Sequence, residues 1–229
     1  MMSYFTLMVM CIVAVVVLMM NIVIANRLRN PGLKWLLTGL FTFAMLRYFT
    51  LIIYGDSPSL VQLQGLQRFY LSTTLSLSAT TALAIWYITP HFREKITYGG
   101  FLAFFLPWIA FFSYVIVTQP TEIVMGESFG YELAILEPFQ TYFSLAQGAY
   151  VAIVILICLN CLLFYKHPVL RSQYLFLIIA QLGLTFDGLS VVYNIETRLF
   201  HPFIVTEIVA FLAVYYALLH KPLDTKKKA

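Results

Sequence analysis

Charge is what this chain has least of. Asp, Glu, Lys and Arg make up 10% of its 229 residues, against roughly 25% in a typical soluble domain. No lysine falls inside any long apolar run, so a retinal Schiff base on a membrane helix is excluded. Cysteine is scarce too: Cys11, Cys158 and Cys161 all lie in apolar runs, which implies buried packing rather than a disulfide framework. Cys158 and Cys161 have C-x-x-C spacing but no second ligand pair, so no metal site is expected. His91, His167, His201 and His220 fall at helix ends and in loops, not in the opposed pairs that hold a haem between helices. Phosphate-binding glycine loops, zinc motifs and nucleophile elbows are missing. The expectation is a non-enzymatic chain without cofactor, metal or nucleic-acid partner.

Apolar length is what the chain has in excess. Hydrophobic residues make up 61% of it, gathered into seven runs: Tyr4–Ala25, Trp35–Tyr54, Phe69–Ile88, Gly100–Thr118, Thr141–Tyr165, Tyr174–Asn194 and Pro202–His220. A hydrocarbon core takes about 20 apolar residues per helix, and each run supplies that or nearly so. The fold expected is all-α, a single seven-helix transmembrane bundle over residues 1–220 with a short basic tail, 221–229. Met1–Ser3 carries no positive charge and the first run exceeds a signal h-region, so an uncleaved first span is expected.

The basic residues set an orientation. Arg27, Arg29, Lys34, Arg93, Lys95, Lys166, Arg171, Lys221 and Lys226–Lys228 fall in alternate loops and the tail, eleven on one side. The other side holds Arg68 and Arg198, while Arg47 lies inside a run. The positive-inside rule then places the N-terminus outside and the C-terminus in the cytoplasm, in a prokaryotic inner membrane. Trp35, Trp86, Tyr87, Tyr215 and Tyr216 fall near cytoplasmic helix ends, the depth at which amphipathic rings anchor. The tail lysines read first as topological charge and secondarily as an anionic-lipid contact.

A faint repeat is visible. Tyr4-Phe5-Thr6-Leu7 and Tyr142-Phe143-Ser144-Leu145 open the first and fifth runs, and Trp86-Tyr87 and Tyr215-Tyr216 close the third and seventh. Two triplets joined by one linking helix would share an orientation, giving a 3+1+3 parallel repeat.

Charge within a span costs at least about 2.5–3.5 kcal/mol, so each instance wants a partner. Arg47, Asp187 and Glu207 fall at one depth beneath the outer surface when residues are counted along their runs. Arg47 is therefore expected within ion-pair reach of Asp187 or Glu207. Gln147 shares the layer, and Ser72, Ser76 and Thr80 recur every four residues on one helix face. An outward polar cavity lined by Arg47, Ser72, Ser76, Gln147, Asp187 and Glu207 is the candidate ligand site. The plainer alternative is that these charges pin helices together and the serines act as packing glue. Above them the loop Gln119–Gln140 carries Glu122, Glu127, Glu132 and Glu137 and no base; its apolar stretch Leu133–Leu136 is placed to fold back as a lid.

The run Tyr165-Lys166-His167-Pro168-Val169-Leu170-Arg171-Ser172-Gln173, then Phe200-His201-Pro202-Phe203 and Leu218-Leu219-His220-Lys221-Pro222-Leu223-Asp224, resembles the seven-helix N-terminal sensor module of bacterial histidine kinases. The resemblance covers residues 139–224. It implies a sensor bundle whose last helix leads to an output; the kinase itself is absent from this sequence, so a signal would pass through a membrane-protein or signalling partner. Three functions are thus expected in order: a sensor or receptor-like module with an outer cavity, an accessory subunit of a larger membrane complex, and a small-solute transporter. A transporter should show helix breaks at matching positions of its two halves, and Pro107 in the linking run is the only clear mid-span proline.

Overall fold

The computed structural model describes residues 4–56, 58–126, 130–192 and 204–220, with the side chains of 188–192 excepted. Expectations for Arg198, Asn194, Pro202, His201, Glu127 and the basic tail lie outside the described residues. The chain is mainly helical: α1 Tyr4–Ala25, α2 Pro31–Gly55, α3 Leu60–Leu66, α4 Ser72–Ile88, α5 Pro90–Lys95, α6 Tyr98–Phe104, α7 Leu106–Thr118, α8 Phe139–Phe164, α9 Pro168–Val192 and α10 Ile204–Leu219. Two strands, β1 Thr121–Met125 and β2 Tyr131–Ile135, pair antiparallel between α7 and α8.

Local chemistry explains the boundaries. α1 runs exactly over its apolar stretch and stops where Asn26 and Arg27 begin. Asn30 caps α2, its side chain accepting from Gly32 N (3.0 Å) and Leu33 N (3.2 Å), with Pro31 at the first helical position. The helix therefore starts earlier than the apolar run at Trp35, because the cap and not hydropathy decides where the backbone turns. Pro168 likewise opens α9 ahead of Tyr174. Gln119 closes α7 in the left-handed region (φ 50°) and its N–H reaches Val115 O at 3.0 Å.

Five helices are long and apolar enough to cross a membrane: Tyr4–Ala25, Pro31–Gly55, Leu60–Ile88, Phe139–Phe164 and Pro168–Asp187. Tyr98–Phe104 and Leu106–Thr118 make a sixth if taken together, but they meet at a 71° bend. The single linking helix expected over Gly100–Thr118 is thus two helices. Pro107 has no N–H to give and cannot continue the helix from Phe105. α10, at 16 residues, is a shorter apolar helix.

The helices pack in chain order, α1 on α2, α2 on α4, α4 on α6 and α7, α7 on α8, α8 on α9, α9 on α10, and α10 back on α1. α4 also touches α8, α9 and α10, so it stands inside the ring. Its sequence suits that place. Ser76, Ser78, Ala79, Thr80, Thr81, Ala82 and Ala84 are all buried, and small side chains let neighbouring backbones approach closely. The outer helices show the reverse. Along α1, Phe5, Val9, Ile12, Val16, Met19 and Val23 form an exposed apolar stripe, as a lipid-facing surface requires.

The hairpin corrects the all-α expectation. Its strands, Thr-Glu-Ile-Val-Met and Tyr-Glu-Leu-Ala-Ile, have the β-branched and aromatic content that suits a pleated ribbon. A two-stranded ribbon is marginal alone, and here it is docked. β2 packs on α2, Leu133 is buried, and Gln67 Nε2 donates to Thr121 Oγ1 at 2.8 Å. Gly130 holds φ +64° directly against Tyr54 O and Gly55. Gly130→Ala should therefore cost at least about 1–2 kcal/mol from the left-handed backbone alone and displace the hairpin from α2. Limited proteolysis of the intact protein in detergent checks this: the variant should be cut in 121–135 faster than the parent, with the helices spared.

Candidate functional site

The site begins with an interruption in α4's span. The chain from Leu60 passes through a short 3-10 turn, Gln67–Phe69, before α4 opens at Ser72. The first segment ends with carbonyls left over, and the second opens with N–H groups left over. Two charges meet at this joint. Arg47 Nη1 donates to Tyr70 O at the end of the first segment. Glu207 Oε1 accepts from Thr73 Oγ1 (2.7 Å) in the first turn of α4. The cation thus lies at the carbonyl end and the anion at the amide end, the placement that helix dipoles favour.

Arg47 and Glu207 also pair with each other. Arg47 Nε stands 3.4 Å from Glu207 Oε1, and the two residues are 4% and 5% exposed. That distance is an ion contact rather than a hydrogen bond. Tyr48 OH donates to the other carboxylate oxygen at 2.8 Å, and the Arg47 guanidinium lies over the Tyr70 ring, 5.2 Å from its centroid. Three helices, α2, α4 and α10, are joined at one point.

The hairpin lies beside this point. Gly130 rests against Tyr54 O, the Tyr54 and Tyr70 rings lie 5.4 Å apart, and Tyr54 OH donates to Leu63 O at 2.6 Å. Tyr70 therefore meets Tyr54 with its ring and Arg47 with its carbonyl.

The six residues expected to line one site do not all meet. Arg47 and Glu207 do. Ser72 and Ser76 are fully buried on α4 beside Thr73, and neither hydroxyl has a hydrogen-bond partner among the described residues. Asp187 instead accepts from Thr206 Oγ1 at 2.8 Å, on the α9 side of α10. Gln147 sits half-buried on α8, its Oε1 enclosed without a partner, and no hydrogen bond among the described residues joins it to Arg47. The residues that sequence reasoning passed over are Tyr48, Tyr70 and Thr73. Only the last had a signal, a place beside Ser72 in the same polar layer.

Elsewhere polar side chains grip α10. Asn21 Nδ2 on α1 donates to Phe211 O (3.0 Å), and Gln173 Nε2 on α9 donates to Ala217 O (3.1 Å). The three cysteines are buried and free. Among the described residues no three His, Cys, Asp or Glu side chains gather in a way that could hold a metal ion. No protein-family model and no curated protein matches this chain.

The ion pair makes a sharp stability prediction. Arg47→Leu leaves a buried carboxylate and Glu207→Leu a buried cation, so each single change should destabilise by about 3–5 kcal/mol. Replacing both with apolar residues of similar size removes the two charges together and should recover most of that loss. Thermal unfolding of the four proteins in one detergent reads the coupling; additive losses would mean that the two charges do not depend on each other.

Proposed function

We propose that this chain crosses the membrane seven times, N-terminus outside, and acts as a non-enzymatic receptor-like module whose outer half responds to a small ligand. The single observation that carries this reading is the buried Arg47–Glu207 cluster with two unpartnered serine hydroxyls, Ser72 and Ser76, beside it. Intramembrane ionisable groups mark functional sites by default. A buried hydroxyl without a partner is costly, and a polar ligand that bonds it offsets that cost. The seventh span in this reading is α10, and the fourth, the link between the two triplets, is the bent pair α6–α7. The proposed 3+1+3 repeat equates α1 with α8 and α4 with α10. The host membrane is the inner membrane of a prokaryote, with the basic loops facing the cytoplasm.

The signal leaves through α10. Glu207 is gripped by α2 and α4, Thr206 by Asp187 of α9, and the carbonyls of Phe211 and Ala217 by α1 and α9. Any rearrangement of the cluster is felt along that helix, whose inner end leads toward the basic tail. Output then passes to a membrane-protein or signalling partner, as the resemblance to kinase sensor modules implies.

One observation favours the second reading, an accessory subunit. Glu207 already has Arg47, Tyr48 and Thr73, which is what a purely structural pin between helices would look like. The transporter reading is the weakest: α4 is interrupted, but its counterpart α10 is continuous from Ile204 to Leu219, whereas paired halves should break alike.

Two measurements test the proposal. A single cysteine placed at Glu122 in a cysteine-free background should label with an impermeant maleimide from outside intact cells; protection there would reverse the orientation. The apolar double variant at Arg47 and Glu207, if folded, should lose the small molecules that the parent protein retains through mild-detergent purification. Equal retention by both would remove the cluster from the site and leave the accessory-subunit reading.

A further inference from the structure

Resting on the receptor reading above, we infer that the ligand of this site is an uncharged molecule bearing amide or hydroxyl groups, held by Ser72 and Ser76. Charge balance gives the first half of the argument. Arg47 and Glu207 are both buried and neutralise each other at 3.4 Å. Asp187, which would have tipped the balance, is engaged with Thr206 instead. An ionic ligand would add a third charge to a neutral, enclosed pair and leave it uncompensated.

The two serines give the second half. Hydroxyls on membrane helices ordinarily return a bond to the carbonyl four residues back, and Thr42, Thr50, Ser78 and Thr89 all do so here, at 2.7–2.9 Å. Thr38 and Thr81 lack a partner too among the described residues, but only Ser72 and Ser76 flank Thr73, which bonds Glu207. Ser72 opens α4 just past the interruption, so no regular helical turn precedes it. Ser76, one turn further on, makes no such bond either, and both residues are fully buried. The two lie on one helix face about 6 Å apart along the axis, adjoining the Thr73–Glu207 bond. Each hydroxyl can donate and accept, so a neutral amide or alcohol satisfies both, whereas an apolar molecule satisfies neither.

Acetamide, acetate and acetamidinium are close to the same shape and differ in charge, which makes them the probes. Thermal unfolding of the full chain in detergent is followed with each at equal concentration and ionic strength, for the parent and for Ser72→Ala/Ser76→Ala. Acetamide should raise the parent's midpoint by about 2–4 °C, the size of shift a modest ligand gives a chain of this length. Acetate and acetamidinium should not. Without any probe the double variant should unfold at the same or a higher temperature, because burying a methyl group in place of an unpartnered hydroxyl is neutral or favourable; with acetamide it should show no shift. A serine-dependent response to either ion would overturn the neutral-ligand inference while leaving the receptor reading in place. An acetamide response of equal size in the variant, or none in the parent, would remove Ser72 and Ser76 as a ligand site. A lower midpoint of the variant without probe would assign the hydroxyls a structural role and overturn the inference.

Discussion

A buried ion pair has to find polar partners inside the protein, and here it finds them where the helix from Leu60 is interrupted. Tyr70 and Thr73 are both buried, so water does not serve them. Arg47 takes the Tyr70 carbonyl and Glu207 takes the first turn of α4 through Thr73. Because each is a charge that hydrocarbon will not tolerate alone, the arrangement is reciprocal. The helices that supply them, α2 and α10, are thereby fixed on two sides of α4, which already stands at the centre of the ring.

The two ends of α4 differ in character. At its N-terminal end the cluster meets Tyr70 and, through Tyr54, the hairpin. Toward its C-terminal end, α4 is a column of Ser, Thr and Ala against which larger residues close: Tyr150 OH donates to Ser78 O at 2.7 Å, and Thr89 and Tyr174 hydroxyls meet at 2.9 Å. Not every polar group there is matched: Thr81 Oγ1 on α4 and Gln181 Oε1 on α9 are also enclosed without a hydrogen-bond partner among the described residues. The unmatched hydroxyls of Ser72 and Ser76 belong to the end that also holds the charges.

Much of this was legible before any coordinates, and the residues show why. Tyr4–Ala25 is bounded on both sides by the same apolar run that forms it, so hydropathy and structure coincide. Pairing of Arg47 with a carboxylate followed from the cost of burial, since only two other charges sat at its depth. Depth along a helix does not give the direction a side chain faces, however, and Asp187 turns toward Thr206 while Glu207 turns toward Arg47. The same limit explains Thr73. The four-residue spacing of Ser72, Ser76 and Thr80 marks a face, but the helix begins only at Ser72 and its phase was not fixed by what precedes it. The stretch Leu133–Leu136 was read as an apolar lid; it lies at the end of a hairpin docked on α2, with Leu133 buried and Leu136 exposed. Its strand geometry depends on docking against Tyr54 and Gly55, a tertiary fact that no local pattern in 121–135 announces.

The two halves of the ion pair are also separated in time. Tyr48 and Glu207 are bonded across 159 residues, and at roughly 5–20 residues per second of synthesis Arg47 waits on the order of ten seconds for its carboxylate. Of the two groups that Arg47 meets, the Tyr70 carbonyl is made first, twenty-three positions downstream. The last helix to arrive brings the residue that completes the bundle, so assembly ends with the contact on which the finished architecture depends.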